Sequence, residues 1–256
     1  MSVAILLRRA LARPGQSDEH EVLGPCERGA LVAGLRIAAA LGTDAIAIAA
    51  GPARREDRVL AMALRAGAAR AVRLGADGLD DLDYLGLAEA LAATVRTVAA
   101  NVVTCGDRSI DERTGAVGPA VAELLGYVHV TGVVSVAVDG PRLLCERFGD
   151  ARRDRLAVKP PAVLCVRPPR TSDLSLEKDK DKDPEPTKGR ARTSPQAIDA
   201  MDAEEVGLDL RRLAPRKNTA GRLRPVRGGK QATILGNAAE LVARLEAEAL
   251  VRRGPT

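Results

Sequence analysis

The segment from Gly106 to Gly118, GDRSIDERTGAVG, packs Gly106, Ser109, Asp111, Thr114, Gly115 and Gly118 into thirteen residues immediately ahead of an apolar helical stretch. Backbone amides, hydroxyls and a helix N-terminus this close together are the groups that hold a phosphate. The neighbouring carboxylates are of the type that accepts ribose hydroxyls. The segment is not a Walker loop, since no Gly-Lys-Ser/Thr follows, nor is it a GxGxxG turn. Without a ligand, its glycines would simply turn a strand into a helix, with Asp111 or Thr114 as the N-cap.

Two shorter segments sit at comparable places. Gly24-Pro25-Cys26-Glu27 precedes a helix, and Ala50-Gly51-Pro52 follows a strand. Taken alone, Glu27 is a first-turn carboxylate favoured by the helix dipole. Cys26 is a small residue beside the loop rather than a nucleophile, because no histidine is placed to activate it. His20 and His129 stand alone and receive no role. Three loops of this kind, all at strand ends, point together to a nucleotide, because ligands of open parallel sheets bind where the carboxyl ends of the strands converge.

The elements that would position these loops alternate. Apolar runs predict strands at 3–7, 45–50, 71–74 and 101–105, and three-and-four spacing predicts helices at 27–41, 55–66, 85–98 and 117–125. This is the grammar of an α/β fold: an open, mostly parallel sheet with helices on both faces and right-handed crossovers. Runs at 133–138, 142–148 and 162–166, with Asp139-Gly140 as one turn, predict an antiparallel extension. We expect a nucleotide-binding α/β domain over 1–170 and a charged flexible linker over 171–192 (DLSLEKDKDKDPEPTKGRAR lies within it). A C-terminal arm over 193–256 ends in an amphipathic helix at 237–251, whose Leu241, Leu245 and Ala249 share a face and call for a surface to pack on.

Composition narrows the chemistry. Among 256 residues there is no Trp, one Phe and two Tyr, so the core is built from Ala, Val, Leu and Ile. The net charge of +5 comes from Lys and Arg interleaved with Asp and Glu, without the stacking aromatics that RNA readers use, so no nucleic-acid partner is expected. Cys26, Cys105, Cys145 and Cys165 are far apart in sequence and form no zinc spacing. No stretch approaches the eighteen or more apolar residues of a membrane span, and the N-terminus places its apolar run ahead of its arginines, the reverse of a signal peptide. We expect a cytoplasmic protein with reduced thiols.

These segments resemble the electron transfer flavoprotein beta subunit family. GDRSIDERTGAVGPAVAELLG is similar to the family's Gly-x-Gln-(Ser/Ala)-Ile-Asp signature, matching at Gly106, Ser109, Ile110, Asp111, Gly118 and Leu125-Gly126, with Arg108 in place of the usual glutamine. Gly24-Pro25-Cys26-Glu27 falls where the family has Asn-Pro-x-Asp, and PPAVLCVRPPR from Pro160 resembles its Pro-Ala-Val strand. The resemblance implies a subunit that does no bond-making chemistry itself and has no catalytic residues. It implies a buried adenine nucleotide, usually AMP and in a subset a second FAD, and a heterodimer with an alpha subunit that carries most of the contacts to the redox FAD.

By resemblance the nucleotide touches Leu6, then Gly24, Pro25, Cys26 and Glu27, then Ala50 and Gly51. It also touches the loop of Gly106, Asp107, Arg108, Ser109, Ile110, Asp111, Thr114, Gly115, Val117 and Gly118. The complex would carry electrons from flavin dehydrogenases, such as acyl-CoA dehydrogenases, toward the respiratory chain. Leu174, after Pro169-Arg170, is the docking leucine by an ungapped reading; a second alignment places the docking loop at 194–201. From the residues alone a stand-alone adenine-nucleotide-binding or ATP-hydrolysing α/β protein remains the alternative. The absence of Lys from residues 1–158 counts against a lysine-dependent phosphate chemistry.

Overall fold

A computed structural model describes residues 2–10, 22–75, 78–79, 82–109, 113–148, 152–168, 198–213 and 237–247. In chain order the elements begin with β1 (Val3–Leu6), β2 (Arg9–Ala10), β3 (Val22–Leu23), α1 (Pro25–Leu41), β4 (Ala45–Ala50) and α2 (Ala53–Arg65). There follow β5 (Arg70–Leu74), α3 (Tyr84–Thr97), β6 (Val102–Gly106), α4 (Val117–Leu125), β7 (Val128–Asp139) and β8 (Arg142–Phe148). The last are β9 (Arg153–Val158), β10 (Ala162–Val166), β11 (Asp199–Met201), α5 (Leu210–Leu213) and α6 (Ala238–Ala247).

Nine strands form one sheet in the order β11-β5-β4-β1-β6-β10-β7-β8-β9, and β2 and β3 pair separately. From β11 to β7 every ladder is parallel, whereas β7-β8 and β8-β9 are antiparallel. The expected open, mostly parallel α/β sheet is therefore present. Its central strands are apolar on both faces, as a doubly covered parallel sheet requires. Along β1, Val3 and Ile5 join one core with Ala30, Ile37, Val59 and Leu60 of α1 and α2, while Ala4 and Leu6 join a second with Ala88, Leu91, Val95 and Val121 of α3 and α4. Each large side chain so buried is worth roughly 1.5–3 kcal/mol. With few aromatics to fill space, the helices lie close on the sheet: a Cβ on Gly34 of α1 would stand 2.5 Å from Cγ1 of Ile5 and 2.8 Å from Oγ1 of Thr104.

The sheet differs from expectation on one side. Residues 162–166 do not belong to the antiparallel extension; β10 lies between β6 and β7 and is parallel to both. All five of its residues are buried, which is the pattern of an interior parallel strand rather than of a one-sided hairpin. The antiparallel wing is instead completed by β9, whose sequence RDRLAV opens on three charged residues and leaves only three apolar ones, too few for an apolar-run signal. The chain also returns beyond the charged segment: β11 pairs in parallel with β5. A small third core of Leu74, Leu79 and Ala90, with Met201, Val206 and Leu208 packed against it, lies there. Residues 171–192 and the end of the predicted terminal helix fall outside the described residues. The segment 220–256 forms a unit of its own, in which Asn237 Oδ1 accepts the Glu240 N–H at 2.9 Å and so caps α6.

Candidate functional site

From β1 the chain moves outward to β4 and β5, then returns to the other side of β1 as β6. The carboxyl ends of β1 and β6 therefore diverge at a topological switch point, where an open α/β sheet leaves a crevice. A cleft of about 590 Å³, counted out to open solvent, lies there. Its walls are Leu6, Leu7 and Arg8 leaving β1, the loop after β6 with the start of α4, Glu27 in the first turn of α1, and Leu87 and Leu91 on α3.

The polar floor is mostly backbone. The N-cap of α4, Ala116, makes no side-chain capping bond, so the amides of Val117 and Gly118 open the helix toward the cleft with its dipole unneutralised. Pro119 comes next and has no N–H to satisfy. Within the loop, Ser109 Oγ accepts the Arg113 N–H at 3.2 Å and Thr114 Oγ1 accepts the Ala116 N–H at 3.5 Å. Both hydroxyls keep their own hydrogen to donate. Gly115 adopts φ +64°, and a Cβ there would stand 2.9 Å from the Asp107 carbonyl oxygen. The loop folds back on itself at that point, and a side chain would force it open.

Two carboxylates stand beside the cleft. Asp107 is buried and committed to the fold: Oδ1 accepts the Gly132 N–H at 2.8 Å, and Oδ2 has Nε of both Arg108 and Arg167 at 3.6 Å. Its role is to tie the loop after β6 to β7, at the register shift where β7 leaves β10. Glu27 is also buried, and a Cβ on Gly106 would stand 3.2 Å from its Oε1, so glycine is what lets α1 seat its acid against the strand end. The exposed arginines Arg8 and Arg108 line the cleft and favour an anionic occupant. Burial pushes the Cys26 thiol up from its ordinary value, against a smaller downward pull from the Arg108 backbone N–H. Cys26 therefore stays protonated near neutrality.

Of the residues singled out in the sequence, the structure brings ten to this one cleft: Leu6, Glu27, Gly106, Asp107, Arg108, Ser109, Thr114, Gly115, Val117 and Gly118. Gly24 and Pro25 are the N-cap and first residue of α1, not a loop ahead of it, since proline at that position has no helical N–H to lose. Cys26 abuts Gly106 from the same turn. Ala50 and Gly51 end β4, one strand away, and do not line the cleft. Ile110, Asp111 and Leu174 lie outside the described residues. Gly118 is not a turn residue: it is buried inside α4, and a Cβ there would stand 2.4 Å from Cys165 Sγ and 2.7 Å from Cys105 Sγ. Sequence reasoning missed Arg8, two residues past β1, and Leu87 and Leu91, an i,i+4 pair that only the path of α3 across the sheet brings to the cleft.

The profile described as the electron transfer flavoprotein domain matches residues 16–199. The chain is similar to the electron transfer flavoprotein subunit beta of Thermoanaerobacterium thermosaccharolyticum, with 32% identity over 143 residues, 56% of this chain and 55% of the relative. It is also similar to the same-named protein of Clostridium acetobutylicum, with 31% identity over 143 residues and the same coverage. Protein FixA of Azorhizobium caulinodans is 34% identical over 121 residues, 45% of this chain and 43% of the relative. The chain thus spans little more than half the length of these two subunit beta relatives.

Proposed function

The chain belongs to the electron transfer flavoprotein family, in its beta-subunit branch, and from this we propose that it is the structural half of a two-subunit electron carrier, holding AMP in the cleft at the switch point. The observation that carries the reading is the uncapped N-terminus of α4 opening into a cleft between β1 and β6. A phosphate fits there against the Val117 and Gly118 amides and the Ser109 and Thr114 hydroxyls, with Arg8 and Arg108 supplying charge. Leu6, Leu87 and Leu91 offer an apolar wall of the kind a base requires. The nucleotide would be held, not transformed, and the cleft residues would orient it and exclude water.

The redox chemistry would be supplied by FAD on an alpha subunit. This chain would shape the surface on which that subunit sits and carry the complex between flavin dehydrogenases and an acceptor of the respiratory chain. An isolated helix as short as α6 is marginal in water, and its apolar Leu241, Val242 and Leu245 suit it to dock on a partner. Leu174 would serve as the anchor on the dehydrogenase.

The test is co-expression of the full chain with its genomic neighbour encoding an alpha subunit, followed by denaturation and mass spectrometry of released nucleotides. Equal FAD and AMP are expected. Two FAD would keep the pairing and replace the AMP; a lone, colourless chain that hydrolyses ATP would overturn the reading.

A further inference from the structure

Cys105 and Cys165 are far apart in sequence but directly opposite in the parallel ladder of β6 and β10. Both point to the α3–α4 face and belong to the same core. Their sulfurs are 3.6 Å apart, with the Cys105 thiol donating to Cys165. Both are free thiols, 5% and 1% exposed, and only Cys105 reaches the wall of the cleft. Neighbouring strands lie about 4.8 Å apart, within the ~4.4–6.8 Å between Cα atoms that a disulfide spans. The other two cysteines have no such neighbour. Cys145 belongs to the core on the opposite face, and Cys26 stands at the start of α1, also across the sheet.

We infer that Cys105 and Cys165 form a dithiol site beneath the cleft, oxidised reversibly to an internal disulfide by a small peroxide that enters through the cleft when no nucleotide fills it. Cys105 reacts first. Its sulfur attacks one peroxide oxygen, the O–O bond breaks, and a sulfenic acid and one water result. The Cys165 sulfur then attacks the Cys105 sulfur; the S–O bond breaks, the S–S bond forms, and the hydroxyl leaves as a second water with the Cys165 proton. Two thiols lose two electrons and the peroxide is reduced to two waters. The cross-link would pin together the strand ends that carry Asp107 and Arg167.

The hydrogen bond to Cys165 and, after it, burial push the Cys105 thiol well above its ordinary value, so the reaction is slow and requires excess oxidant. Competition from Cys26 is the main alternative, because it is half-buried beside the loop. The two readings separate by peptide map.

The experiment uses the reduced full chain treated with excess hydrogen peroxide, denatured in an alkylating reagent, digested and mapped by mass spectrometry. The expected product is the Cys105 peptide joined to the Cys165 peptide, with Cys26 and Cys145 alkylated and the join lost after dithiothreitol. In Cys165→Ala, Cys105 should stop at a sulfenic acid that dimedone traps. Failure of that variant to fold would leave the wild-type map decisive. Both cysteines alkylated after oxidation, a join involving Cys26, or Cys105 recovered only as sulfinic acid would overturn the assignment.

Discussion

Gly118→Ala tests how closely α4 lies on the sheet. The added Cβ would stand 2.4 Å from Cys165 Sγ and 2.7 Å from Cys105 Sγ, both on fully packed strands. The nearer sulfur belongs to Cys165, which is 1% exposed and does not border the cleft, so it is the harder of the two to displace. Overpacking of this kind costs about 1–3 kcal/mol. Replacing glycine by alanine in a helix returns at most about 1 kcal/mol, and less in a first turn. The net is a loss of about 1–2 kcal/mol, or a fall in Tm of roughly 2–8 °C for a chain of this size. Thermal and urea unfolding of the full chain measure it. The cause is isolated by adding Cys165→Ala, which removes the nearer sulfur. The pair should then be more stable than the sum of the single changes predicts, by about 1 kcal/mol. A Gly118→Ala chain as stable as the parent, or strict additivity in the double variant, would refute the close approach.

Gly34→Ala should likewise destabilise by about 1–3 kcal/mol, since its Cβ would meet Ile5 at 2.5 Å; urea midpoints report it. Asp107→Ala strands the Gly132 N–H that Oδ1 accepts at 2.8 Å, at a cost of about 1–3 kcal/mol, whereas Asp107→Asn, which keeps an acceptor oxygen, should lose less in the same assay. Asp83 caps α3 by accepting the Leu85 and Gly86 N–H groups at 3.0 and 2.9 Å; Asp83→Ala should cost about 1 kcal/mol, read as a lowered Tm. Burial pushes the Cys145 thiol from 9.0 up to about 11. The unfolded chain releases that proton first, so the contribution is full below about pH 9 and is lost as pH rises through about 11. Urea midpoints should fall over that window, and Cys145→Ala should flatten part of the fall.

The parallel half of the fold was legible because its signal is redundant. AIAIAA at 45–50 and VAIL at 3–6 are buried on both faces, so a continuous apolar run, a following helix and a strand-end glycine all agree. The wing was less legible for a physical reason. β9 is an edge strand and blunts its exposed backbone with Arg153, Arg155 and Asp154, which removes the apolar signal that would announce it. β10 was recognised as a strand but misplaced, because proximity in sequence to β8 suggested a meander while its five buried residues belonged to the centre. At the site, the glycine-rich segment identified its own loop, yet spacing alone did not reveal that Asp107 is engaged by Gly132 or that Leu87 and Leu91 arrive from α3.

The scarcity of aromatic residues and the form of the cleft have one cause. A core of Ala, Val and Leu supplies little volume between layers, so helices must settle close to the sheet, and at the tightest points even a methyl group is too much. Gly34 lets α1 descend onto Ile5 and Thr104; Gly118 lets α4 descend onto Cys105 and Cys165. Gly118 is also the residue whose amide opens toward the cleft. The contact that sets the depth of α4 therefore sets the height of its N-terminus above the end of β6. A substitution that lifts the helix must move the donors away from whatever they hold. Stability and ligand retention should accordingly fail together at Gly118 and separately at Gly34, which packs the opposite face and lines no part of the cleft.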